Sequence, residues 1–145
     1  MKTAIARWVG ILFVALSLQA ANADDSTYVA IQGYDVVAYF TDGKAVKGSP
    51  SYALPFEDAS WQFANQSHKE MFAADPDRYL PQYGGMCAGG MSLGVSVPAN
   101  PENWVIVDGK LYMVSGSPDN LADWKAHAAE NIKAADKIWS ESAYK

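Results

Sequence analysis

WVIVDGKLYMV, running from Trp104 to Val114, carries two apolar runs on either side of Asp108-Gly109. Asp-Gly favours the positive backbone φ angles of a tight two-residue turn, so the stretch predicts a hairpin with strands Trp104–Val107 and Leu111–Val114. Ser117-Pro118 then opens a helical region. Leu121, Trp124, Ala128, Ile132, Ala135 and Trp139 recur at steps of three and four. That stripe predicts an apolar helix face, on one long helix or two consecutive ones. A hairpin covered by helices is an α+β arrangement.

The same logic extends toward the N-terminus. Tyr52, Leu54 and Phe56 alternate with other residues, as do Trp61 and Phe63, which predicts a second hairpin with a buried aromatic face. Ser67 and Glu70 read as a capping box for a helix ending near Ala74. Asp75-Pro76 reads as a further helix start, and Pro81 as its end. Tyr28 to Ile31 reads as a short strand, Gly33 as a turn, and Asp35 as the cap of a short apolar segment, Val36 to Phe40. No internal repeat is visible. The expected fold is therefore one small α+β domain, with short antiparallel strands and hairpins packed against helices.

The first residues read differently. Lys2 and Arg7 precede an apolar run from Trp8 to Leu18, and Ala21-Asn22-Ala23 is a small-x-small cleavage site. This is the layout of a secretory signal peptide over residues 1–23, which implies a periplasmic or secreted domain over 24–145, with no membrane anchor after cleavage. The apolar run is too short to span a bilayer. The exported part would keep 9 Lys and Arg against 16 Asp and Glu, a net charge of −7. No basic cluster is present, which argues against nucleic acid as a partner. One cysteine allows no internal disulfide, so aromatic and apolar packing must hold the domain.

That cysteine lies in the segment richest in chemistry, YGGMCAGGMSLG, from Tyr83 to Gly94. Gly84 and Gly85 precede Met86 and Cys87, and Met91 follows. Thiolate and thioether sulfur suit Cu(I), and an imidazole such as His68 adds a borderline donor. The residues leave three readings open. Cys87, His68, Met86 and Met91 are the candidate metal ligands. Alternatively Cys87 is structural, and the domain is a non-catalytic ligand-binding or protein-interaction module. Asp35, Tyr34, Tyr83, Gly84 and Gly85 are its candidate contacts. The third reading is a thiol-based enzyme, which needs a thiol pKa lowered by its surroundings. No residue is assigned a catalytic role. Outside a metal role, His68 and His127 are expected on the surface, and Asp35 is expected to be an N-cap.

Several segments together resemble the secreted bacterial branch of the YHS domain family. Gly33-Tyr34-Asp35-Val36-Val37-Ala38-Tyr39-Phe40 is similar to its opening motif. Trp61-x-Phe63-Ala64, Phe72 and Pro76-x-x-Tyr79 continue the likeness. Pro81-Gln82-Tyr83-Gly84-Gly85-x-Cys87-Ala88 resembles its most recognisable segment, and Asp108-Gly109-Lys110-Leu111-Tyr112 with Ala135-Asp136-x-x-Trp139 its tail. The resemblance implies a small domain related to metal-binding units found beside heavy-metal transport proteins. Metal-binding relatives carry cysteines near the first motif and after the aromatic strand. Here Asp35 to Ala38 and Ala64 stand in those places. The expectation is an exported, metal-associated domain with copper as the ion, and a metal ion or another exported protein as partner.

Overall fold

Asp108 and Gly109 take positive φ, 50° and 75°. They turn β4 (Asn100–Val107) into its antiparallel neighbour β5 (Lys110–Val114), so the expected hairpin forms. The computed structural model describes residues 28–142; the segment 1–23 read as a signal peptide lies outside them. The second expected hairpin is also present, with β2 (Ser49–Phe56) antiparallel to β3 (Ala59–Phe63). β1 (Tyr28–Val29) adds to β3 in parallel. The helices are α1 (Ala38–Thr41), α2 (Gln66–Ala74), α3 (Pro76–Tyr79), α4 (Ala88–Ser92), α5 (Pro118–Ala126) and α6 (Ala128–Glu141). The α+β class holds. Among the described residues no helix is long and apolar enough to cross a membrane.

Contrary to the sequence reading, the domain contains a repeat, visible in its backbone. The turn Ala30–Gly33 is left-handed at Ile31 and Gln32, and Gln82–Gly85 is left-handed at Tyr83 and Gly84. Tyr34 bridges Lys47, and Met86 bridges Pro98, both antiparallel. The next amides match too: Asp35 N–H donates to Val46 O and Cys87 N–H to Val97 O, each at 2.8 Å. A short helix follows each, α1 or α4, and then a hairpin. Both hairpins slip register near their start, between Ser49 and Ala53 and between Asn100 and Trp104. Both turn through an acid at positive φ, Glu57 at 51° and Asp108 at 50°. Even the parallel pairing recurs, Val29 with Ser60 and Pro81 with Leu111. Helices α2 and α5 close the two halves. What repeats is a backbone path, while paired positions such as Ile31 and Tyr83 differ chemically. Among residue types, only scattered identities such as Gly33 with Gly85 accompany it.

Each half has its own aromatic centre. Phe56, Trp61 and Phe63 surround Phe72, with ring centroids 5.5, 5.3 and 5.2 Å from it. In the second half Tyr112 packs on Trp124 at 5.4 Å. The halves meet where Tyr39 lies edge-on to Trp104 at 5.0 Å and its hydroxyl donates to Pro101 O. Large rings meeting edge-on or tilted favour a fixed arrangement beyond the area they bury.

Two local expectations are corrected. Asn65, not Ser67, caps α2: its Oδ1 accepts from His68 N–H at 2.9 Å, and Glu70 instead accepts from Gln66. The strand expected to reach Ile31 ends at Val29, because the left-handed turn takes Ile31 out of the extended region. Of the two forms open to the closing apolar stripe, two consecutive helices are found, α5 and α6, which part at His127.

Candidate functional site

The repeat places Asp35 and Cys87 at the same point of the two halves, each directly after its turn and before its short helix. Both side chains accept hydrogen bonds from the backbone ahead of them. Asp35 Oδ1 accepts from Val37 N–H at 2.9 Å and from Ala38 N–H at 3.3 Å. Cys87 Sγ accepts from Gly90 N–H at 3.3 Å. Both also accept from the residue that follows the last strand of their hairpin: Ala64 N–H reaches Asp35 Oδ2 at 2.8 Å, and Ser115 N–H reaches Cys87 Sγ at 3.2 Å. The fold thus builds the same donor cradle twice, once around a carboxyl group and once around a sulfur.

Each cradle has one further donor of its own. In the first, His68 Nδ1 lies 2.6 Å from Asp35 Oδ2. That oxygen already accepts from Ala64, so the imidazole nitrogen is the donor. The other ring nitrogen, Nε2, is 3.3 Å from the Thr41 hydroxyl and 3.9 Å from Asp42 Oδ1. Asp35 is wholly buried and His68 only 8% exposed, which corrects the expectation of a surface histidine. Asp35 does cap the segment that follows it, as expected, and it is also the histidine's anchor. His127 is exposed, as expected.

In the second cradle the extra donor is the Ser115 hydroxyl, 3.1 Å from Sγ. Cys87 is 4% exposed. Burial alone pushes its thiol pKa up. The hydroxyl and amide of Ser115 and the amides of Gly90 and Gly89 outweigh burial, and the net shift is downward. Sulfur here is therefore held toward the thiolate, the form that attacks electrophiles and binds soft metals.

A depressed thiol pKa ties stability to pH. The unfolded thiol ionises near ~8.5. The thiolate's contribution is therefore complete above that value and is lost as pH falls through the lower folded pKa. Ser115→Ala removes the hydroxyl donor and is expected to raise the thiol pKa and to cost about 1 kcal/mol in alkaline solution. Iodoacetamide alkylation rates against pH, with urea unfolding at each pH, check both. An unchanged alkylation midpoint would show that the hydroxyl does not hold the sulfur.

The remaining predicted site residues are dispersed. Met91 lies one helical turn from Cys87, its amide donating to Cys87 O at 2.9 Å, and is buried. Met86 is half-buried in the bridge to Pro98. Tyr34 is at the surface of the first half, donating to Glu102 at 2.9 Å with Lys47 Nζ 4.1 Å over its ring. Tyr83 donates to Asp136 at 2.8 Å. Burial and that hydrogen bond push its phenol pKa far up, so it stays neutral. Gly84 and Gly85 supply the left-handed turn, at φ 62° and 77°. The structure therefore sets Met91 one helical turn after Cys87 along the backbone, turns Met86 toward a separate cavity beside Pro98 and Met113, and assigns His68 to the other cradle. Ser115, Thr41 and Asp42 were not singled out in the sequence. Only the backbone repeat, which pairs Ser115 with Ala64, marks the serine. Among the described residues no group of three or more His, Cys, Asp or Glu is placed to hold a metal ion.

No family model matches the chain, and no curated protein or solved structure matches it either.

Proposed function

We propose that this is an exported YHS-type domain whose working atom is Cys87 Sγ, and that its cargo is a soft monovalent cation, Cu(I). One observation carries this reading: three donors converge on a buried sulfur, in a cradle whose twin holds a carboxyl group. Those donors are dipoles and not cations. They hold negative charge on sulfur without cancelling it, which leaves a soft cation as the natural complement. The donor types suit that ion: Cys87 would supply a thiolate, with the thioethers of Met91, one helical turn on, and Met86, the preceding residue, as the candidates to join it. His68 is left out, since its Nδ1 is committed to Asp35.

The lowered thiol pKa also favours a second reading, oxidation by a hydroperoxide. The thiolate would attack the O–O bond and form an S–O bond. Hydroxide or alkoxide would leave and take a proton from water, with sulfur oxidised by two electrons and the peroxide reduced. One preparation tests both readings: a chain beginning at Asp24, which contains every described residue. Anaerobic Cu(I) titration against a competing chelator is expected to give 1:1 binding, weakened in Met91→Leu and lost in Cys87→Ser. No competition with the chelator, together with dimedone trapping of Cys87 after peroxide, would replace copper by sulfenate chemistry.

A further inference from the structure

A cleft of about 510 Å³ opens where the two left-handed turns approach each other. Gly85 faces Ile31 there, and a Cβ on that glycine would sit 3.0 Å from Ile31 Cγ2. Tyr28, Phe56, Trp61, Tyr83 and Trp139 all line the cleft. The Tyr83 hydroxyl is occupied by Asp136, which leaves its ring as the wall. Cys87 and Asp35 are not among the lining residues, so this site is independent of both cradles.

Trp61 is 8% exposed and lines the cleft; its indole Nε1, like that of Trp124 in the other half, is buried from solvent and has no partner among the described residues, so the N–H is not what Trp61 offers a ligand. What separates the cleft from a simple packing defect is the lip, formed by Glu57 and Asp58 in the β2–β3 turn. The twin turn in the other half is Asp108-Gly109, which meets the conformational demand with ordinary turn chemistry. Here the chain holds a glutamate at φ 51° and an aspartate where the twin has glycine. Folding does not require this, and the result is two carboxyl groups beside an aromatic box. No described residue lining the cleft is basic.

We infer that this cleft binds a small organic cation: an ammonium head against the aromatic lining and the two carboxyl groups. Ring faces attract cations through their quadrupole, most strongly where water is displaced. A cleft of this volume suits a ligand of the size of choline.

Choline is the first probe, with dimethylbutanol as its neutral carbon isostere, on the chain beginning at Asp24. Saturable binding is expected, with the Trp61 and Trp139 indole N–H resonances shifting. The isostere is expected to bind roughly tenfold more weakly, the scale of a cation–π contribution. Glu57→Gln with Asp58→Asn alters only exposed side chains. It should weaken choline several-fold and leave dimethylbutanol unchanged. Trp139→Leu should weaken both. Equal affinity for choline and dimethylbutanol would overturn the cationic assignment. Absence of any saturable shift at Trp61 would overturn the site. Cys87→Ser should leave choline binding intact, so this result stands or falls separately from the copper reading.

Discussion

Asp35→Ala is expected to lower the unfolding free energy by about 4 kcal/mol or more, a large part of the margin of a domain this size. The carboxyl group is wholly buried and accepts from three amides and one imidazole. Alanine leaves those donors with no acceptor and no water, and each orphaned group costs on the order of 1–3 kcal/mol. The loss spans three elements. Val37 and Ala38 belong to the α1 region, Ala64 follows β3, and His68 lies on α2. One side chain therefore ties the short helix, the hairpin and the following helix of the first half together. Asp35→Asn keeps one oxygen but turns an NH2 toward at least one existing donor, and is expected to fall between wild type and alanine. Urea denaturation of the three proteins checks the order. A cost below 1 kcal/mol for alanine would mean that these donors find other partners, and that Asp35 is not the organiser of its half.

The sequence disclosed elements whose cause is local. Asp108-Gly109 specifies its turn through two residues, and the alternation of Trp61 and Phe63 specifies a buried strand face whatever packs on it. The closing stripe gave the helix face but not its interruption at His127. Asp35 was read as a cap from its place before an apolar segment, and it is one. The neighbours of His68, namely Ser67, Lys69 and Glu70, are those of a surface turn and give no sign of its burial. What buries it is Asp35, far away in sequence and brought near by the hairpin between them. Ser115 was invisible for a similar reason: a serine after a strand carries no signal until the loop holding Cys87 lies against it.

The repeat was the larger omission, and its concealment has a physical origin. The two halves share backbone demands, and several residue types meet each demand. A left-handed residue is Ile31 in one half and Tyr83 in the other, both costly choices for a non-glycine. Gly33 and Gly85, which close the two turns at φ 78° and 77°, are an identity that survives. A short acceptor at the end of the turn is aspartate once and cysteine once. Strain that would suggest function at one turn is shared by both, so it belongs to the architecture. The chemistry that is not shared singles out function: sulfur in place of a carboxyl group, and Glu57-Asp58 in place of Asp-Gly.

The same equivalence separates what Cys87 does for the fold from what it does chemically. Cys87→Ala orphans the amides of Gly90 and Ser115, while the Ser115 hydroxyl can turn elsewhere. The expected cost is about 2–4 kcal/mol at a pH where the native thiol is ionised. Cys87→Asp restores an acceptor of the kind the twin cradle already holds, and is expected to recover most of that loss. Its stability should fall again in acid, as protonation removes the acceptor, while Cys87→Ala should show no such dependence at this position. Neither variant keeps the thiolate, so neither should compete with a chelator for Cu(I). Urea unfolding at neutral and acidic pH, run beside the copper titration, reads both consequences. Recovered stability without recovered copper binding would show that the fold asks only for an anionic acceptor at this point, and that sulfur is there for its chemistry. If Cys87→Asp were as unstable as Cys87→Ala, the two cradles would not be equivalent, and the case for a held thiolate would weaken with them.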